Sequence, residues 1–194
     1  MTLLTPELLI LLVIKADGGH LRGKTLLQKR GFFLCERFKC SVDYRAHYYG
    51  PYSPMLDATL GRLKSLGLIE EKSESFGRAD GVGFEWRRYE FALTEDGRQV
   101  LTAFEQQEPD IVHAVREYLR QMEVAGDNGD YVKLSIAAKT FFVLKRREKP
   151  MTRDEIQGVA KRFGWSIEPE QIARAGEFLE QMRLTSKTTA SFQH

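Results

Sequence analysis

Twelve residues in the first third of the chain, Asp43-Tyr-Arg-Ala-His-Tyr-Tyr-Gly-Pro-Tyr-Ser-Pro54, constrain the fold most. Tyr44, Ala46 and Tyr48 alternate with Arg45, His47 and Tyr49 at the period of a strand, and Gly50-Pro51 then turns the chain. Ser53-Pro54 supplies a helix N-cap followed by the residue favoured at the first helical position. A helix must therefore start at Pro54. Leu56, Leu60 and Leu63 fall at i, i+4 and i+7, one apolar face, with Asp57, Thr59, Arg62 and Lys64 off it, and Gly67 ends the helix.

The residues after that helix set the fold class. Leu68–Ser75 and Glu85–Leu93 read as strands, joined by the polar, glycine-rich stretch 76–84, which is longer than a tight hairpin turn. Helix, helix, strand, helix, hairpin is the pattern of a winged helix. The expected architecture is mainly α with a small β-hairpin wing: an N-terminal winged helix-turn-helix over 1–108, a connector and dimerisation helix with its linker over 109–129, and a C-terminal three-helix, helix-turn-helix-like module over 130–194.

Helix signals fill in the rest. Thr94 caps a helix with Glu95 and Asp96 in its first turn, Pro109 opens the connector, and Gly126-Asp-Asn-Gly129 closes it. Beyond Tyr131, one helix ends in Lys145-Arg-Arg-Glu-Lys149, a second is capped by Thr152 with Glu155 in the capping-box position, and a third opens at Glu168-Pro-Glu170.

Gly23-Lys-Thr-Leu-Leu-Gln-Lys29, Tyr49-Gly-Pro-Tyr-Ser53 and Leu60-Gly-Arg-Leu-Lys-Ser-Leu-Gly-Leu-Ile69 together resemble the YwgA-like family of prokaryotic proteins, over most of the chain. The resemblance implies a winged-helix-like fold and a regulatory role, with no defined substrate.

The residue inventory points away from catalysis. His20, His47, His113 and His194 fall at neither metal-ligand nor nucleophile–base spacing, and Cys35 and Cys40 alone cannot build a four-thiolate zinc site. The glycine stretch at 77–83 precedes a strand and lacks the ending of a phosphate loop. No enzymatic activity, metal or cofactor is expected. Leu8–Ile14 is far shorter than the roughly 20 apolar residues of a membrane span, and Thr5-Pro6-Glu7 reads as a native helix start rather than a secretory leader, so a cytoplasmic protein is expected.

A formal net charge of +2 hides a partition. Residues 20–64 hold nine Lys and Arg against three Asp and Glu, 65–130 hold seven against fifteen, and 131–194 hold twelve against seven. Basic helix-turn-helix regions suit a phosphate backbone. The expected function is a DNA-binding regulator contacting duplex DNA through Lys24, Gln28 and Lys29 on the second helix, Arg45, Tyr49 and Ser53 around the turn, Thr59, Arg62 and Lys64 on the third helix, and Arg78, Arg87 and Arg88 in the wing. The alternative is a protein-interaction module, antitoxin-like or an assembly subunit, because Tyr44, Tyr48, Tyr49 and Tyr52 beside His47 form an aromatic group of the kind enriched at protein interfaces. A homodimer is expected, since Leu8–Ile14 and the Ile111–Met122 stripe offer more apolar surface than a small domain readily covers.

Overall fold

The computed structural model describes residues 4–78, 85–126, 129–147 and 150–185, with the side chains of 75–78 and 85–87 excepted. The described chain is mainly helical with one small antiparallel sheet. Its elements run α1 (Pro6–Ala16), β1 (His20–Arg22), α2 (Lys24–Phe38), α3 (Pro54–Ser65), β2 (Ile69–Arg78), β3 (Glu85–Leu93), α4 (Glu95–Gln107), α5 (Pro109–Val124), α6 (Tyr131–Arg147), α7 (Arg153–Arg162) and α8 (Pro169–Gln181). The sheet has the order β1-β3-β2, with Leu21 opposite Phe91 and Ile69 opposite Leu93.

The helix starts coincide with their caps. The hydroxyls of Thr5, Ser53 and Thr94 accept from the backbone N–H groups of Leu8, Leu56 and Gly97, and Thr152 with Glu155 closes a reciprocal capping box. Leu56, Leu60 and Leu63 are buried, as their spacing requires. Thr59 is buried as well, which the stripe did not predict, and its hydroxyl accepts from Arg62 Nη2 at 3.1 Å.

Two expectations are corrected. Residues 44–49 form no strand. They belong to a loop held by one isolated bridge, Arg45 to Tyr52, because its polar groups are satisfied by side chains of other elements. The strand preceding α3 lies earlier, at His20–Arg22 between Gly19 and Gly23, where three residues are too short for alternation to register. The apolar surface expected to hold a dimer together is covered inside the chain. Leu9–Ile14 and the α5 residues Val112, Val115, Tyr118, Leu119 and Met122 are all buried, because α1 packs against α2, α3, α4 and α5 at once. Leu8 and Ile111 of the same surface are half-buried.

One apolar core runs through both halves of the chain. Phe33 of α2 meets Phe178 of α8 with ring centroids 5.5 Å apart, and Lys145 of α6 reaches Glu36 of α2 at 2.7 Å. A close approach at Gly97 seats α4: an added Cβ would collide with the carbonyl oxygen of Leu68. Gly97→Ala is therefore expected to cost about 1–3 kcal/mol in chemical denaturation, since the clash is with backbone that cannot rotate away. A loss within error of zero would mean that α4 does not sit against the start of β2.

Candidate site: an anchored aromatic turn

The helix α2 explains how the turn at 43–53 is held. Every residue from Leu26 to Cys35 is buried, so its polar members Gln28, Lys29 and Arg30 are interior groups that need internal partners. Gln28 makes a paired contact with Ser53, donating from Nε2 to the carbonyl oxygen at 3.0 Å and accepting the backbone N–H on Oε1 at 2.9 Å. Lys29 Nζ donates to the Pro51 carbonyl at 2.7 Å. Arg30 Nη1 donates to Asp17 at 2.8 Å, and its Nη2 lies 3.6 Å from Glu123. The Gln-Lys pair thus grips the turn through its backbone, and the motifs at 23–29 and 49–53 form one structural unit.

The C-terminal half completes the seat. Trp165, itself buried, donates its indole N–H to the His47 carbonyl at 2.7 Å, across 118 positions of sequence. Lys139 Nζ stands 5.7 Å from the centre of the Trp165 ring. Gly50 has φ +99°, and an added Cβ would meet Lys139 Cγ at 3.1 Å and Ser135 O at 3.5 Å, so both conformation and space select glycine there. Burial lowers Lys29 to about 7, with the Lys139 charge adding to the effect, and Lys139 is itself lowered by burial.

Anchored from beneath, the turn presents its side chains outward. Tyr48 is 73% exposed and Tyr49 45% exposed, their rings packed edge to face at 4.9 Å. His47 is exposed and lies 5.1 Å from the ring of half-buried Tyr52. Tyr44 faces the other way, its ring against Phe32 at 5.1 Å and its hydroxyl buried. Met55, on the first turn of α3, is also exposed.

The residues expected to face DNA are distributed unevenly. Gln28, Lys29, Ser53 and Thr59 are buried and cannot reach a phosphate, and the first three hold the turn together. Lys24 lies 3.5 Å from Asp57 and 4.8 Å from the Tyr89 ring, Arg62 pairs with Glu7 at 2.6 Å, and Lys64 pairs with Glu71 at 2.9 Å. Arg45, Tyr49 and Arg88 are exposed. The side chains of Arg78 and Arg87 lie outside the described residues. Sequence reasoning missed Trp165, Lys139 and Ser135 as parts of this unit, and nothing local to them announced it. For the Gln28-Lys29-Arg30 run a signal existed: Leu26-Leu27 before it and Phe32-Phe33-Leu34 after it leave no polar stripe on α2, so the polar residues between are enclosed too.

Among the described residues no group of three or more His, Cys, Asp or Glu side chains is arranged to hold a metal, and no helix is long and apolar enough to cross a membrane.

No family model matches the chain. It is similar to the uncharacterized protein YwgA of Bacillus subtilis (strain 168), 29% identical over 102 residues, which cover 52% of this chain and 57% of that protein. The chain thus spans little more than half the length of its relative, and the similarity reaches about half of this chain where the motifs implied most of it. It supports a YwgA-like relationship.

Proposed function

We propose that residues 1–108 form a winged helix that works as a protein-interaction module, with the anchored aromatic turn and the start of α3 as its contact face. The winged-helix reading is supported by the order α1-β1-α2-α3-β2-β3 and by the pairing of β1 with β3. One observation carries the choice of protein over DNA. Lys24 at the start of α2 and Arg62 and Lys64 on α3 each have a carboxylate partner on the same surface, while Tyr48 and Tyr49 stand exposed on a backbone fixed by buried hydrogen bonds. A paired cation brings no net charge to a phosphate, and binding duplex DNA would first have to separate it from its carboxylate. Rigid tyrosines suit the opposite task, because they bury large area with little loss of side-chain freedom. The protein so read is a cytoplasmic, non-enzymatic partner of another chain.

A DNA-binding regulator is the second reading, favoured by the exposure of Arg45 beside the turn and Arg88 on β3. Duplex contact would then run along the turn and the wing strands rather than through α3.

A protein encoded by a gene adjacent to that of this chain is the partner to test. In calorimetry with that protein, Tyr48→Ala with Tyr49→Ala is expected to weaken binding at least about 30-fold, the scale of about 2 kcal/mol for loss of a hot spot, with the melting temperature unchanged because both rings are exposed. Undiminished binding in the double variant would remove the turn from the interface.

A further inference from the structure

The C-terminus of α2 carries the chain's two cysteines in an arrangement that the proposed contact face does not use. Lys39 adopts a left-handed conformation, φ +55°, and ends the helix. The backbone N–H of Lys39 points to the Cys35 carbonyl, and that of Cys40 donates to the same oxygen at 3.3 Å. This is the helix-ending loop in which the side chains three positions before the end and two after it come into contact, and here both of those side chains are thiols. Standard bond lengths added to the 3.3 Å hydrogen bond keep the two Cα atoms within about 7 Å, close to the 4.4–6.8 Å that a disulfide spans.

The two thiols differ in access. Cys35 is buried and Cys40 is half-buried. The Tyr44 hydroxyl is buried beside them. Contact with Cys35 lowers Cys40 from its ordinary value, whereas Cys35 is pushed up by the Cys40 thiol and by burial, so the more accessible Cys40 is the first to ionise.

We propose that Cys35 and Cys40 form a thiol–disulfide exchange site, with Cys40 as the attacking and Cys35 as the resolving sulfur, for small-molecule disulfides. In the first step the Cys40 thiolate attacks one sulfur of the small disulfide, forming a mixed disulfide and releasing one small thiolate, which takes up the proton Cys40 gave up. In the second, Cys35 loses its proton and attacks the Cys40 sulfur; the intrachain bond forms and the second small thiol leaves with that proton. Two protein thiols are oxidised and one small disulfide is reduced to two thiols. The closed bond would fix the end of α2 immediately before the 43–53 turn begins.

The test uses the native chain in glutathione disulfide and glutathione mixtures of increasing ratio, quenched with acid and read by intact mass and free-thiol count. The expected product loses both thiols together and two hydrogen atoms in mass, carries no glutathione, and returns to the starting mass with dithiothreitol. Cys35→Ser should instead accumulate one glutathione adduct, on Cys40. Native chain that accumulates the adduct without closing the intrachain bond, that links only to other chains, or that keeps both thiols until it is denatured would overturn the assignment, and because the native chain alone decides this, the result stands even if Cys35→Ser fails to fold.

Discussion

Gln28→Ala is expected to lower the unfolding free energy by about 1–3 kcal/mol, because it strands the buried backbone N–H of Ser53, while the Ser53 carbonyl keeps the Asp57 N–H at 3.2 Å. The loss has a local signature. With Ser53 released, amide exchange at residues 47–53 should accelerate by more than the global change in stability accounts for, while exchange in α6 and α8 tracks the global change. Denaturant titration and hydrogen exchange together check this. A cost below about 1 kcal/mol, with exchange in the turn unchanged, would mean that water replaces Gln28 and that the side chain is not an anchor.

The second large effect is a dependence on pH. Lys29 has a folded value of about 7 against an ordinary 10.5, chiefly through burial and then through Lys139. The unfolded chain therefore binds more protons than the folded one between those two values, and stability rises with pH across that window. Below about pH 7 both states carry the charge, and the folded protein bears the full cost of enclosing it. Relative to Lys29→Met, the native chain should gain up to about 1.4 kcal/mol per pH unit from pH 7 upward, and nothing from pH 5 to 6.5. Lys139→Met in the native background should shift the onset upward, because the second charge is then gone. Parallel stability curves for the native and Lys29→Met proteins from pH 6 to 9.5 would show that Lys29 keeps an ordinary value.

Much of this fold was legible where the information is local. Ser53-Pro54, Thr94 and Thr152 with Glu155 mark helix starts through hydrogen bonds made within one turn, and the Leu56, Leu60, Leu63 stripe gives the buried face of α3. The turn at 43–53 was legible as a turn but misread as a strand. Alternation of side chains says nothing about what satisfies the backbone, and here the partners are Gln28, Lys29 and Trp165, the last 118 residues from the carbonyl it meets. The basic character of 20–64 was real as composition, but part of it is not free surface charge. Lys29 and Arg30 are interior, and Arg62 pairs with a carboxylate 55 residues away, a relation that charge counting along the chain does not see. Coverage of α1 and α5 depended in the same way on how many elements meet there, which periodicity within either helix does not state.

A salt titration of DNA affinity tests the choice between protein and DNA most directly. Fluorescence anisotropy of a labelled duplex would be measured with the native chain from about 20 to 200 mM salt, where each phosphate contact contributes about −0.9 to the slope of log K against log salt. With Lys24, Arg62 and Lys64 paired and Gln28 and Lys29 enclosed, the expected result is binding weaker than about 10 µM at the lowest salt, a slope shallower than about −2, and no change on replacing Tyr48 and Tyr49 with alanine. Submicromolar affinity with a slope of about −4 or steeper, reduced by Arg45→Ala with Arg88→Ala, would contradict the protein-interaction reading and make the turn a nucleic-acid surface.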